Sequence, residues 1–148
     1  MYLTTSWRAA LVTATAALVG CASPTAPEGS IAVSTTAAKF TRDSLGFTRI
    51  SFRISNSGPQ TLFVPRCGAA VAGNIQRNNA GVISLASSAE SCVSSLFLGP
   101  LGVGAGQTVA STQVVFVPAG EYQISVPVSR SAGDSPSGET RSAFFTIE

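Results

Sequence analysis

The sequence predicts an all-β domain, a sandwich of about seven to nine short antiparallel strands, carried behind an exported leader. Three observations predict it. Apolar residues alternate with polar ones at period two along most of the chain. Turn-forming Gly, Pro, Asn and Ser clusters recur every ten or so residues. No useful helical period appears after the first twenty residues.

Taken in order, the first element is the leader. Arg8 and the α-amino group supply positive charge, Ala9 to Val19 an apolar middle, and Gly20 a small residue before Cys21. A spanning helix needs roughly 17–25 apolar residues, so this stretch is too short to be a permanent span. The run Leu18-Val19-Gly20-Cys21 resembles the lipobox of a bacterial lipoprotein signal peptide. That resemblance implies acylation at Cys21, which becomes the first mature residue, with two or three acyl chains such as palmitate. A plain secretory cut beside Cys21, or a buried cytosolic helix, are the alternative readings. Residues 1–20 are thus expected to be signal peptide. Residues 21–30 form a lipidated tether rich in small residues and proline. Ala22 is not the aspartate that holds some lipoproteins at the inner membrane, which favours the outer membrane where one exists.

Residues 31–148 are the size of one domain. Ile31 to Thr36 predicts the first strand. Thr48 to Ser55 predicts the second, with Ile50, Phe52 and Ile54 inward and Arg49, Ser51 and Arg53 outward. Asn56-Ser57-Gly58-Pro59 is a turn, and Thr61 to Val64 the next strand. Val71 to Arg77 and Val82 to Leu85 flank Asn78-Asn79-Ala80-Gly81 as a hairpin. Ser94 to Leu98 and Val109 to Val117 read as two strands. The glycine-dense Gly99 to Gly106 between them is expected to be a loop. Pro118-Ala119-Gly120 turns into Glu121 to Val128, where Tyr122, Ile124, Val126 and Val128 share a face. Pro127 must lie where no N–H is needed. A turn at Asp134 to Gly138 precedes the final strand, Ser142 to Ile147. Strands of this number and spacing point to an Ig-like sandwich.

The segment Pro118 to Val126 contains a Gly120-Glu121-Tyr122 step. With Phe52 to Gly58 and Ser142 to Ile147, it resembles small bacterial envelope Ig-like and fibronectin-III-like domains. That group includes domains resembling the intracellular proteinase inhibitor fold. The likeness spans Ile31 to Glu148 and implies a tyrosine corner at Tyr122. The chain departs from antibody-type domains: Ile124 stands where a second inter-sheet cysteine would fall, and Trp7 belongs to the leader.

Composition narrows the chemistry. With Cys21 assigned to lipid, Cys67 and Cys92 remain as an even pair, expected to form a disulfide in an exported domain. Such a link would contribute on the order of 3 kcal/mol in the chain-entropy model. Two separate buried thiols are the alternative. Removing Arg8 from the nine basic residues leaves eight against seven acidic ones, with no charge run. That argues against nucleic acid as a partner. Histidine is absent, so the commonest general base and metal ligand is missing. The only methionine is Met1 and the mature chain has one lysine, Lys39, outside any Ser-x-x-Lys run. The expectation is a non-enzyme without metal or cofactor.

Arginine dominates the cations of the mature chain. Arg49 and Arg53 share one outward strand face, where guanidinium groups can grip carboxylate or phosphate. Arg66, beside Cys67, is a further binding candidate. The function expected is a membrane-anchored envelope lipoprotein carrying a non-catalytic interaction or structural module. Its membrane contact is the anchor at Cys21, and its partner an envelope protein or glycan. The alternative is an inhibitor of exported proteases, presenting Gly99 to Gly106 as an exposed loop.

Overall fold

The computed structural model describes residues 30–88 and 99–148. Cys21, the leader, the tether as far as residue 29, Cys92 and the strand expected over Ser94 to Leu98 lie outside the described residues. The rest is all-β. In chain order the strands are β1 (Ile31–Thr35), β2 (Lys39–Phe40), β3 (Phe47–Asn56), β4 (Leu62–Val64) and β5 (Arg66–Cys67). They continue with β6 (Ala70–Val71), β7 (Asn74–Asn79), β8 (Val82–Ser87), β9 (Leu101–Val103) and β10 (Thr108–Phe116). The last three are β11 (Gly120–Val128), β12 (Gly138–Arg141) and β13 (Phe145–Ile147).

One sheet has the order β1-β3-β10; a second has the order β2-β13-β11-β7-β8, with β12 also alongside β11. All these pairings are antiparallel except β2 with β13, which is parallel. Between the sheets lies one apolar core. Ile50, Phe52 and Ile54 enter it from β3, and Tyr122, Ile124 and Val126 from β11. All six are fully buried, and each contributes roughly 1.5–3 kcal/mol by leaving water. The period-two reading of β3 and β11 therefore holds side chain by side chain.

β11 is buried on both faces, because Gln123 and Ser125 on its other side are covered as well. Its polar residues are satisfied there: Gln123 Nε2 donates to Gln76 Oε1 at 2.7 Å, and Ser125 Oγ to Glu139 Oε2 at 2.5 Å. Pro127 falls two residues beyond the last β7 pair, Ser125 with Asn74, where that ladder asks nothing of its nitrogen.

Three expectations need correction. The final strand, expected over Ser142 to Ile147, begins only at Phe145 as β13, and an unexpected β12 precedes it; both pair with β11 but one residue out of register across Ser142 to Phe144. The Ser142 hydroxyl takes the hydrogen bond of the Ile124 N–H at 3.0 Å, so the bulge leaves no donor orphaned. The run Val71 to Arg77 also divides. At Gly73 a Cβ would come within 2.7 Å of Ile124 Cγ2, and the Gln113 side chain clamps that peptide through both its N–H and its carbonyl. The hairpin turn itself is tight: Ala80 and Gly81 have φ of 51° and 90°, the two positive values of a type I′ turn.

The largest departure is at Gly99 to Gly106. Instead of a loop it carries β9, which pairs antiparallel with β4. Val103 is fully buried, and Leu101 packs against the core. The glycine is there for closeness, not irregularity: a Cβ on Gly102 would sit 3.2 Å from Thr61 Cγ2 and 3.3 Å from Phe63 Cε1. Gln107 then closes the turn after β9, its N–H donating to the Gly104 carbonyl and its Oε1 accepting from the Gly104 N–H.

Two polar residues fasten the ends of the fold. Asn56, fully buried at the end of β3, donates from Nδ2 to the carbonyls of Gln60 at 2.7 Å and Val103 at 2.9 Å. Its Oδ1 accepts from the Gly58 N–H. Tyr122 donates its hydroxyl to the Pro118 carbonyl at 2.7 Å, the tyrosine-corner bond the sequence resemblance implies. Burial pushes its phenol above the usual range, against the opposing pull of Arg77 and Arg42. The Arg77 guanidinium carbon lies 6.0 Å from its ring centre.

Candidate binding face

The outward side of β3 and β10 is built by register. Their paired residues run Phe47 with Phe116, Arg49 with Val114, Ser51 with Thr112, Arg53 with Ala110 and Ser55 with Thr108. Every second residue of β3 points inward, so these pairs stand together on the other side. Along the strip, Ser51 and Thr112 hydroxyls bond at 3.1 Å and those of Ser55 and Thr108 at 2.9 Å. The strip is thus polar and ordered in its middle.

One end is apolar. Phe47 and Phe116 meet edge to face with ring centres 5.3 Å apart. Phe116 is 69% exposed, Val114 51%, and Leu45, at the turn before β3, 73%. Four exposed apolar side chains in one place are unusual for a small domain. The turn that presents them is built, not slack. Asp43 Oδ1 accepts from the N–H groups of Leu45 and Phe47, each at 2.9 Å, and the Asp43 carbonyl accepts from Gly46. Gly46 has φ of 87°, and a Cβ on it would meet Phe116 Cε2 at 2.8 Å. Only glycine combines that backbone with that neighbour.

Arg49 and Arg53 are both exposed on this face, as the alternation predicts. Arg53 lies opposite Ala110 on β10 and Ser34 on β1. Among the described residues the ion pairs are Lys39 with Glu148 at 3.6 Å and Arg141 with Glu139, so neither face arginine is neutralised. Arg66 is not brought to the face. It is half-buried on β5, in a different sheet, and its Nε donates to the Gly99 carbonyl at 2.9 Å. That bond ties its guanidinium to the backbone of Gly99, away from Arg49 and Arg53. Cys67, its neighbour, is half-buried on the same strand. The stretch Gly99 to Gly106 likewise offers no apolar tip, because Val103 and Leu101 turn to the core.

Sequence reasoning finds Arg49 and Arg53 but misses Phe47, Phe116, Val114 and Leu45. A usable signal exists: Phe47 is in phase with Arg49 and Arg53, so the same period that turns the arginines outward turns Phe47 outward too.

A second polar cluster lies along β11 and β12. Glu139 accepts from Ser125 and pairs with Arg141. The Ser125 hydroxyl, then Arg141, hold its carboxyl below the usual carboxylate range against the opposing effect of burial. No three of His, Cys, Asp and Glu gather as a metal site among the described residues.

No family model matches the chain, and no curated protein does. Solved structures with some likeness include a structural-genomics target, SoR45, at 16% identity and TM-score 0.47, covering 82% of this chain and 88% of that one. Another is the PapD-like domain 7 of human CEP192, at 12% identity and TM-score 0.38, covering 97% and 94%. A third is the Pseudomonas fluorescens alkylpurine DNA glycosylase AlkC bound to abasic-site DNA, at 15% identity and TM-score 0.39. There the match covers 80% of this chain but only 30% of the glycosylase. At such identities and scores, neither activity nor partner passes from them to this chain.

Proposed function

We propose that this chain is a bacterial cell-envelope lipoprotein, lipidated at Cys21, whose remaining part is an Ig-like β-sandwich acting as a non-catalytic interaction module. The observation that carries the module is the β3–β10 face: two unpaired arginines and an exposed aromatic pair held by a built turn. A face that served only to be solvated would not need Gly46 and Asp43 to present Leu45 and Phe47. The Ig-like reading is supported by two sheets around one core and by the Tyr122 to Pro118 bond. The anchor is supported by the leader and the run Leu18 to Cys21. We place the Cys67–Cys92 disulfide in the same exported compartment, where such pairs persist. It would staple β5 to the segment that precedes Gly99.

The test of the anchored-module reading is fractionation of cells expressing the full chain. The native protein is expected in the detergent phase of membranes. Cys21→Ser is expected to move it to the aqueous phase; unchanged partitioning would remove the anchor from the account.

A further inference from the structure

We propose that the outward face of β3 and β10 is a membrane-docking surface for anionic lipid, tilted tip-down with Leu45, Phe47 and Phe116 at the acyl boundary. The choice of the bilayer as occupant rests on reading Cys21 as a lipid anchor; the face itself does not. Charge complementarity is the first argument. Arg49 and Arg53 are unpaired among the described residues, and their cross-strand partners Val114, Ala110 and Ser34 are uncharged. Asp43, the carboxylate of the turn, is oriented by the Leu45 and Phe47 N–H groups, Glu148 pairs with Lys39, and no described carboxylate forms an ion pair with Arg49 or Arg53. Phosphate oxygens complement guanidinium groups left in this state.

Spacing is the second argument. Arg49 lies two residues along β3 from Phe47, about 7 Å, and Arg53 six residues from it, about 20 Å. Interfacial segments bury their apolar side roughly 5–10 Å into the headgroup boundary. Apolar side chains set at that depth therefore put Arg49 level with the phosphates, and Arg53, on the tilted strand, just outside the headgroups but within the reach of their field. The apolar residues stand at a turn and a strand end, a shape suited to entering a soft surface rather than clasping a peptide between two elements.

The reach of the chain is the third. β1 pairs with β3 so that Ile31 lies opposite Asn56, and the chain enters at the end of β3 remote from Phe47. The ten residues of β3 span about 30 Å. Nine residues, the number from Ala22 to Ser30, can reach about 30 Å at most. A domain tethered at Cys21 can therefore turn its far tip onto the same bilayer. A second copy is a poorer occupant, since docking face to face would bring four unpaired guanidinium groups together.

Among the described residues every core residue lies between Ile31 and Ile147, and the chain without its first 21 residues keeps all of them. That acyl-free chain is the reagent, and its vesicle binding reads the face independently of the anchor. It is expected to sediment with phosphatidylcholine vesicles containing phosphatidylglycerol, and not with phosphatidylcholine alone. Arg49→Gln is expected to weaken binding about fivefold and Arg53→Gln about twofold, and Phe116→Ser about tenfold. All three positions are exposed, and circular dichroism of each variant checks that the fold is intact. Arg49→Lys with Arg53→Lys is expected to retain binding, because a lipid surface reads charge rather than a planar fork. Equal binding to neutral vesicles, wild-type binding by the Gln variants, or loss of binding in the Lys variant would each overturn the proposal. So would failure to bind either vesicle while an acidic envelope protein is captured through Arg49 and Arg53. Failure of the anchor does not show in vesicle binding by the acyl-free chain but in the Cys21→Ser fractionation, so the two claims fail separately.

Discussion

Asn56 shows how much one side chain does in a domain of this size. Its amide satisfies the carbonyls of Gln60 and Val103 and accepts from Gly58, joining the end of β3 to the start of β4 and to β9. Asn56→Ala removes all three bonds and leaves the buried Val103 carbonyl without this partner. The expected cost is about 3 kcal/mol in urea unfolding; a cost within ordinary surface variation would mean that water replaces the amide. Glu139 gives a different kind of test. Its folded carboxyl titrates lower than its unfolded one, chiefly because Ser125 donates to it. Its contribution is therefore complete above the unfolded carboxylate range and is lost as pH falls through the folded value. Glu139→Gln is expected to flatten the acid limb of the stability profile and to leave the alkaline limb unchanged. A parallel shift of the whole profile would show that Glu139 acts through packing instead.

At the scale of elements, the contrast between β9 and β8 is the informative one. β9 sits in a glycine-dense stretch, yet Val103 is fully buried. β8 is rich in apolar residues, as a core strand would be, yet Val82 is 68% and Leu85 61% exposed. Val103→Ala is expected to cost roughly 2 kcal/mol, and Leu85→Ala to stay within about 0.5 kcal/mol. Equal costs at the two positions would contradict the arrangement of sheets. These two strands also mark where the sequence could be read and where it could not. β1, β3 and β10 were legible because burial on one face writes a period of two into the side chains; β11, covered on both faces, was legible because its second face carries polar residues such as Gln123 and Ser125. β9 was not, because Gly102 reports a neighbour, Phe63, brought there by pairing with β4 rather than by anything local. β2 was not either: its two residues pair in parallel with β13, far along the chain. The candidate face divides in the same way. Arg49 and Arg53 follow from phase alone. Phe116 joins them only through the register of β10 on β3, a tertiary fact.

For the whole molecule, entry of the chain and the exposed aromatic pair lie at opposite ends of β3, and this polarity gives the proposed tether its meaning. A chain lipidated at Cys21 holds its far tip within reach of the bilayer, whereas a chain cut and released would present the same tip to solvent. The direct measurement is the mass of the amino-terminal peptide of the protein isolated from the cell envelope. The account predicts a peptide that begins at Cys21 and carries the added mass of its acyl chains. An unmodified Cys21, or a retained leader, would contradict it.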